Sequence, residues 1–400
     1  MTAHIVVGLN YGDEGKGSIT HHLCADSNKK ILVTRYCSGH QAGHTVEYKG
    51  KRHIFQSFGS GSFLGAPTFW SRYCTVYPNA FMRELNDLKA LAINPVVYFD
   101  PLCAVTTIYD VIYNQALEVS RGENKHGSVG HGISATFERM ETTPYKLYMK
   151  DLYYPSVLAI KLEQIKKYYE SKIDISGLEK RFENEYLYAV HQMTQNPYFK
   201  IAVEDEVYDN MGFVNHVFEG AQGVLLDRYY GFFPYVTRAY TTARNAVEII
   251  KRNSALNDNE VHMQYISRIY VTRHGRGPFP TEGKTEHLID GLTDTTNIYN
   301  QWQENLRYGC LDFELLKYAI ECIEVFYFDE TTLNQDLVSK EFINFTCLDH
   351  LKDRNKILVK ECDGTYETMS FENVLSRVAE ITSIHKFKTC DNTQSIFLDY

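Results

Sequence analysis

Apolar and polar positions follow two different periods along the chain. Ile5-Val6-Val7-Gly8-Leu9 is a short unbroken apolar run, the pattern of a strand buried on both faces of a parallel sheet. A glycine-rich turn, Gly12 to Gly17, follows it, and the next residues predict a helix over 19–25. Ile31-Leu32-Val33 predicts a second strand, and Val96-Val97-Tyr98-Phe99 and Ile269-Tyr270-Val271 two more, each bounded by polar or glycine turns. Over 161–172 the apolar residues fall at 162, 165, 168 and 169, which is helical spacing, and 315–323 predicts another helix. The stretch 258–300 is rich in Gly, Thr, Asp and Asn and reads as functional loops on a scaffold. From Tyr327 onward, short β-like runs at 342–345 and 356–359 alternate with charged turns and predict an appended α+β layer. Without a Gly/Ser linker or an internal repeat, the pattern predicts one α/β domain over 1–400.

Composition narrows the class. At 400 residues and 44% hydrophobic, the chain has ample material for a buried core. Its 41 Lys+Arg against 50 Asp+Glu give a net charge of −9, which argues against a nucleic-acid coat or a binder of anionic membranes. No run of about 18 apolar residues predicts a membrane span, and the N-terminus carries no secretory pattern. The nine cysteines are odd in number and none is spaced as CxxC, so reduced, mostly buried thiols in a cytoplasmic protein are expected.

Two segments carry chemistry. Gly12-Asp13-Glu14-Gly15-Lys16-Gly17 lies between a strand and a helix. There the backbone N–H groups, the helix dipole and Lys16 all suit a phosphate. The GxxxxGK[ST] spacing is absent, and the pair Asp13-Glu14 would repel phosphate unless one carboxylate binds Mg²⁺ or takes a proton from substrate. The alternative is a plain charged strand–helix turn. The second segment is Ser38-Gly39-His40-Gln41-Ala42-Gly43-His44-Thr45. Its glycines favour a loop, so one histidine suits a general acid or phosphate contact better than a metal ligand; the alternative is two surface histidines.

These segments recur in order with Phe218-Glu219-Gly220-Ala221-Gln222-Gly223, Pro234-Tyr235-Val236-Thr237 and Gly277-Pro278-Phe279-Pro280-Thr281-Glu282. The five together resemble adenylosuccinate synthetases over roughly residues 1–350. The resemblance implies a large, mostly parallel central sheet flanked by helices, with a helical acceptor-nucleotide subdomain at about 100–210 and a guanine-nucleotide region at about 325–400. It implies a GTP- and Mg²⁺-dependent ligase that joins L-aspartate to a purine nucleoside monophosphate through a 6-phosphoryl intermediate, working as a homodimer. By the same resemblance Asp13 is general base and metal ligand, Lys16 neutralises phosphate, His44 is general acid, the Gly43 carbonyl is a metal ligand and Gln222 bonds the base near O6. Gly12, Glu14, Gly15, Lys16, Gly17, His44 and Thr45 would contact GTP. Thr346-Cys347-Leu348-Asp349 resembles the guanine-reading motif, with Asp349 accepting from the guanine edge and Cys347 where a lysine is usual; a helix N-cap is the alternative for Asp349. The acceptor nucleotide would meet Asp13, Gln41, Ser128, Val129, Gln222 and Thr237, and aspartate would meet Thr295, Thr296 and Arg307.

Departures from the family cluster on the acceptor and aspartate sides. Val129 stands where a phosphate-binding threonine is usual and His131 where a basic residue is usual, in Gly127-Ser128-Val129-Gly130-His131-Gly132. The arginine that reaches the partner subunit's nucleotide has no match near 140–143, and Arg307 alone survives of the aspartate-loop arginines. Each lost charge-assisted hydrogen bond is worth about 1.5–3 kcal/mol. Either Arg238, Arg244, Arg273 or Arg276 substitutes, or the acceptor differs. Phage-type members of the superfamily use dGMP, and the loops around Trp302 and His131 are similar to that branch. A degenerate paralogue that binds purine nucleotide as a sensor is the non-enzymatic alternative.

Overall fold

The computed structural model describes residues 2–25, 30–174, 180–257, 259–294, 296–297, 299, 302–327 and 337–391, and the backbone of 398–399. A ten-stranded sheet runs through the molecule in the order Leu398–Asp399, Phe387–Thr389, Val338–Thr346, Glu260–Arg268, Thr2–Gly8, Asn215–Gly223, Ile31–Arg35, Thr68–Trp70, Val97–Phe99, Phe199–Ile201. Every pairing is parallel except the edge pair Phe387–Thr389 with Leu398–Asp399. The unbroken apolar run at the N-terminus takes the place such a run demands. Ile5 is opposed by Phe218 on one side and Met263 on the other, and is fully buried. Strand order reverses direction around this first strand, so the carboxyl ends of its neighbours open a crevice there. Gly8, Arg35, Gly223, Arg268 and Thr346 all end strands at that edge.

The predicted strands at 5–9, 31–33, 96–99 and 269–271 correspond to Thr2–Gly8, Ile31–Arg35, Val97–Phe99 and Tyr270–Arg273. The predicted helices lie in Lys16–Leu23, Pro155–Glu170 and Phe313–Glu324. The first starts three residues early because Gly15, at φ 92°, turns the chain directly into the helix.

Two expectations are corrected. The stretch 258–300 is not loop throughout, because Glu260–Arg268 pairs beside the first strand and Tyr270–Arg273 opens a separate four-stranded sheet. Its polar residues hid the strand. Gln264 and Ser267 are buried, and Gln264 accepts a hydrogen bond from Asn344 of the adjacent strand at 3.1 Å. Nor is the last third appended, since Val338–Thr346 pairs in parallel with Glu260–Arg268 inside the main sheet.

A second apolar core, built on Phe55, Trp70, Phe81, Phe99, Leu147 and Ile165, joins the far end of the sheet to a group of helices. Asp110 is their buried hub. Its carboxylate accepts from Arg139 Nε at 2.8 Å, from the Tyr169 hydroxyl at 2.7 Å and from the Thr107 N–H at 2.7 Å, closing a capping box on the helix Ile108–Ser120. Seven of the nine cysteines are buried and all nine are free thiols. Among the described residues no helix is long and apolar enough to cross a membrane.

Candidate active site

The glycine-rich turn is organised from beneath by Glu14. Its carboxylate accepts from the N–H groups of Asn10 (2.7 Å) and Gly12 (3.2 Å) and pairs with Lys16 Nζ at 2.6 Å, both side chains 2% exposed. Room for that acid explains one glycine, since a Cβ on Gly8 would stand 2.0 Å from Glu14 Oε2. Asp13 occupies the left-handed region (φ 61°), its carbonyl accepts from Arg268 Nε, and its carboxylate lies 3.5 Å from His274 Nε2.

His44 opens the hairpin His44–Tyr48/Lys51–Phe55. Its Nδ1 is 2.6 Å from Glu219 Oε1, and its Nε2 has no hydrogen-bond partner among the described residues. Burial lowers the His44 pKa, and the adjacent Glu219 offsets this only in part. Burial would raise the Glu219 carboxyl, but His44, Arg35 and Ser60 outweigh it and hold it below the usual range. The pair is therefore a neutral imidazole donating to a carboxylate. Gln222, at φ 61°, ends the strand that carries Glu219, and its Oε1 accepts from Ser38 Oγ at 3.3 Å.

These groups line one cleft of about 400 Å³. Gly12, Asp13, Glu14, Gly15, Lys16, Gly17, Gln41, Gly43, His44, Thr45, Ser128, Val129, Gln222, Thr237, Thr296 and Asp349 all reach it. On the side of the cleft expected to meet the acceptor, Asn114 braces the segment 127–132, giving a hydrogen bond to Ser128 Oγ (3.0 Å) and accepting one from Gly132 N (3.1 Å). His131 stacks on His40 with centroids 5.0 Å apart, and His40 stacks on Tyr77. Burial, then the nearby Arg83, pushes His131 down to about 4, so this position carries no cation near neutrality. His40 is a buried member of that stack, not a surface group.

On the side expected to meet aspartate, Asp294 binds the N–H groups of Thr296 (2.9 Å) and Asn297 (3.0 Å) and the Arg268 guanidinium (2.9 Å). Burial would raise its carboxyl, but Arg268 and those N–H groups hold it down to about 2. Thr295 lies outside the described residues. The structure does not bring Arg307 to the cleft: its guanidinium meets Glu282 (2.8 Å) and the carbonyls of Gly275 and Gly277. Its strand, Arg307–Asp312, belongs to the four-stranded sheet and aims the side chain at that neighbouring loop. At the other end, Asp349 stands in the first turn of the short helix Leu348–His350, which Cys347 (φ 62°) caps, so Asp349 is no N-cap.

Sequence reasoning assigned no role to Glu219, Arg268, His274, Asp294 or Arg52. Glu219 had a signal, an acid enclosed by Phe218 and Gly220 inside a quoted motif. Among the described residues no three His, Cys, Asp or Glu side chains gather to hold a metal. Asp13 and Gly43, the residues expected to hold Mg²⁺, both line the cleft.

An open parallel sheet whose glycine-rich turn opens a cleft at the switch point defines an α/β fold of the kind that takes ligands at the carboxyl ends of its strands. The chain belongs to the adenylosuccinate synthetase family, whose model matches residues 5–386. It is 32% identical over 305 residues to adenylosuccinate synthetase 1 of Pseudoalteromonas translucida, a match covering 72% of this chain and 64% of that protein. It is 30% identical over 381 residues to the enzyme of Neisseria meningitidis serogroup C, covering 91% of this chain and 86% of that protein. For the first-ranked relatives the chain thus spans 64% of their length. The fold is that of fully ligated adenylosuccinate synthetase from Plasmodium falciparum (TM-score 0.72, 17% identity, 98% of this chain and 97% of that one). It is also that of the cyanophage S-2L succinoaminodeoxyadenylate synthetase solved with dGMP and dATP (TM-score 0.65, 14% identity, 98% and 93%).

Proposed function

We propose that the protein is a GTP- and Mg²⁺-dependent carbon–nitrogen ligase that joins L-aspartate to C6 of a 6-oxopurine nucleoside monophosphate, giving an N6-succinyl purine nucleotide. The observation that carries this reading is the meeting of Asp13, Lys16, Gln222 and the His44–Glu219 pair in one cleft. A protein that only senses nucleotide has no use for an acid–base pair oriented by a buried carboxylate.

Asp13 takes the N1 proton of the acceptor base, and the O6 so activated attacks the γ-phosphate of GTP. His44 donates from Nε2 to the transferring group once protonated, with Glu219 compensating its charge. Lys16 balances charge on the phosphates, and Gln222 bonds the base near O6. The amine of aspartate then displaces phosphate from C6. Asp13 and the Gly43 carbonyl would hold Mg²⁺, which would supply neutralisation of phosphate charge. Asp349 suits the N1–H and 2-amino donors of guanine and so favours GTP over ATP. The acceptor nucleotide lies against Gln41, Ser128, Val129 and Thr237, of which Ser128 and Val129 belong to the helical subdomain. Free, mostly buried thiols suit a reducing cytoplasm, and family practice suggests a homodimer.

The deciding experiment supplies GTP, Mg²⁺ and aspartate with IMP, dIMP, GMP or dGMP and reads succinyl-nucleotides by mass spectrometry. One succinylated product is expected. The similarity of the loops around Trp302 and His131 to the phage-type branch supports a second reading, dGMP as acceptor, which the same assay separates from IMP. Nucleotide binding with no product from any acceptor would refute the ligase and favour a sensor.

A further inference from the structure

The aspartate side of the cleft needs a cation, because a dicarboxylic acid must leave water to bind there. Arg307 is the only arginine between residues 277 and 353, and its guanidinium is spent outside the cleft. Four arginines line the cleft: Arg52, Arg268, Arg273 and Arg276. Arg268 is committed to Asp294 and to the carbonyl of Asp13. Arg273 is buried and donates to the carbonyls of Pro278, Tyr235 and Arg276. Arg276 is held by Glu304 and the Glu123 carbonyl.

Arg52 differs. Its side chain is 40% exposed, its Nη2 lies 2.7 Å from Thr296 Oγ1, and its Nε lies 3.2 Å from Glu47. Thr45 Oγ1 is 3.1 Å from the same Thr296 hydroxyl. The hairpin register explains the grouping. Glu47 is paired directly with Arg52, and Thr45, two residues before Glu47, shares its face. His44 begins the same strand, about 10 Å from Glu47 along it.

We propose that Arg52 is the carboxylate-binding cation of the amino-acid substrate, seated with Thr296 and Thr45, in place of the arginine cluster this chain lacks. The assignment rests on the ligase reading above. The guanidinium offers five N–H donors in a planar fork, so it serves Thr296 and a substrate carboxylate together. The arrangement ties the nucleophile to the hairpin that carries His44, placing its amine by the same element that meets the phosphoryl group.

The test titrates L-aspartate calorimetrically into the protein saturated with GDP and each acceptor nucleotide in turn, for wild type, Arg52→Ala and Arg52→Lys. Arg52→Ala is expected to weaken aspartate binding about 10-fold or more. Arg52→Lys should recover part of that loss. GDP affinity should stay within about two-fold, which certifies the fold. In turnover the aspartate KM rises while the nucleotide KM values hold. Aspartate binding by Arg52→Ala within two-fold of wild type overturns the proposal. Wild-type protein that binds aspartate through Arg52 yet forms no product would overturn the ligase reading and leave this assignment standing. Failure of wild type to bind aspartate would overturn both.

Discussion

At His44 two opposing effects decide the protonation state. Burial favours the neutral ring and Glu219 the charged one, and burial prevails. Glu219 itself stays ionised, so the tautomer is set: Nδ1–H donates to the carboxylate at 2.6 Å and Nε2 carries the lone pair. A phosphoryl group arriving with negative charge adds what the ring lacks to become an imidazolium. Glu219→Gln should therefore lower kcat roughly 10- to 100-fold, as loss of an orienting partner does elsewhere, with nucleotide KM values little changed in steady-state assays. Asp13→Asn should abolish turnover and spare GTP binding measured by fluorescence titration; full activity in that variant would refute its role as base. Both residues lie in segments the sequence made conspicuous, but only Asp13 announced its chemistry. An acid in an apolar strand shows its partner only when the strand Asn215–Gly223 is set beside the hairpin at His44.

The helix Ile108–Ser120 links stability to the acceptor side. Its first turn holds Asp110 against Arg139, both fully buried, and about one turn further on Asn114 and Gln115 grip the segment 127–132. Replacing Arg139 by Met strands a buried carboxylate and should cost about 3–5 kcal/mol in urea unfolding. Adding Asp110→Asn to that variant should restore part of the loss, and equal stability of single and double variants would show that the pair is not coupled. Asn114→Ala leaves the hub intact but frees the loop, so it should raise the acceptor KM several-fold while the GTP KM holds. None of this was legible as periodicity. Helices such as Pro155–Glu170 and Phe313–Glu324 declared themselves by their apolar spacing, whereas Glu260–Arg268 carries buried Gln264 and Ser267 and read as loop. Tertiary hydrogen bonds, such as Asn344 to Gln264, satisfy those polar groups, and local pattern cannot contain them.

At the scale of the molecule, the motifs told which loops share a cleft, but not how strands far apart in sequence lie side by side. Thr2–Gly8 is flanked by strands beginning at 215 and 260, an order that short-range pattern leaves open. The same long-range burial makes the fold acid-sensitive. His216 and His287 are buried, and burial pushes each down to about 4 from the ordinary 6.5. Neither nitrogen of His287 has a hydrogen-bond partner among the described residues. Below pH 6.5 the unfolded chain takes up a proton at each site while the folded chain does not until about 4. Stability is thus fully present above pH 6.5, falls as pH drops through that window, and levels off below it. Each histidine should remove about 2 kcal/mol between pH 6.5 and 5. Urea unfolding at a series of pH values should show this slope, and His287→Phe should flatten it by about one proton's worth. An unchanged slope in that variant would mean that His287 is not held neutral by the fold.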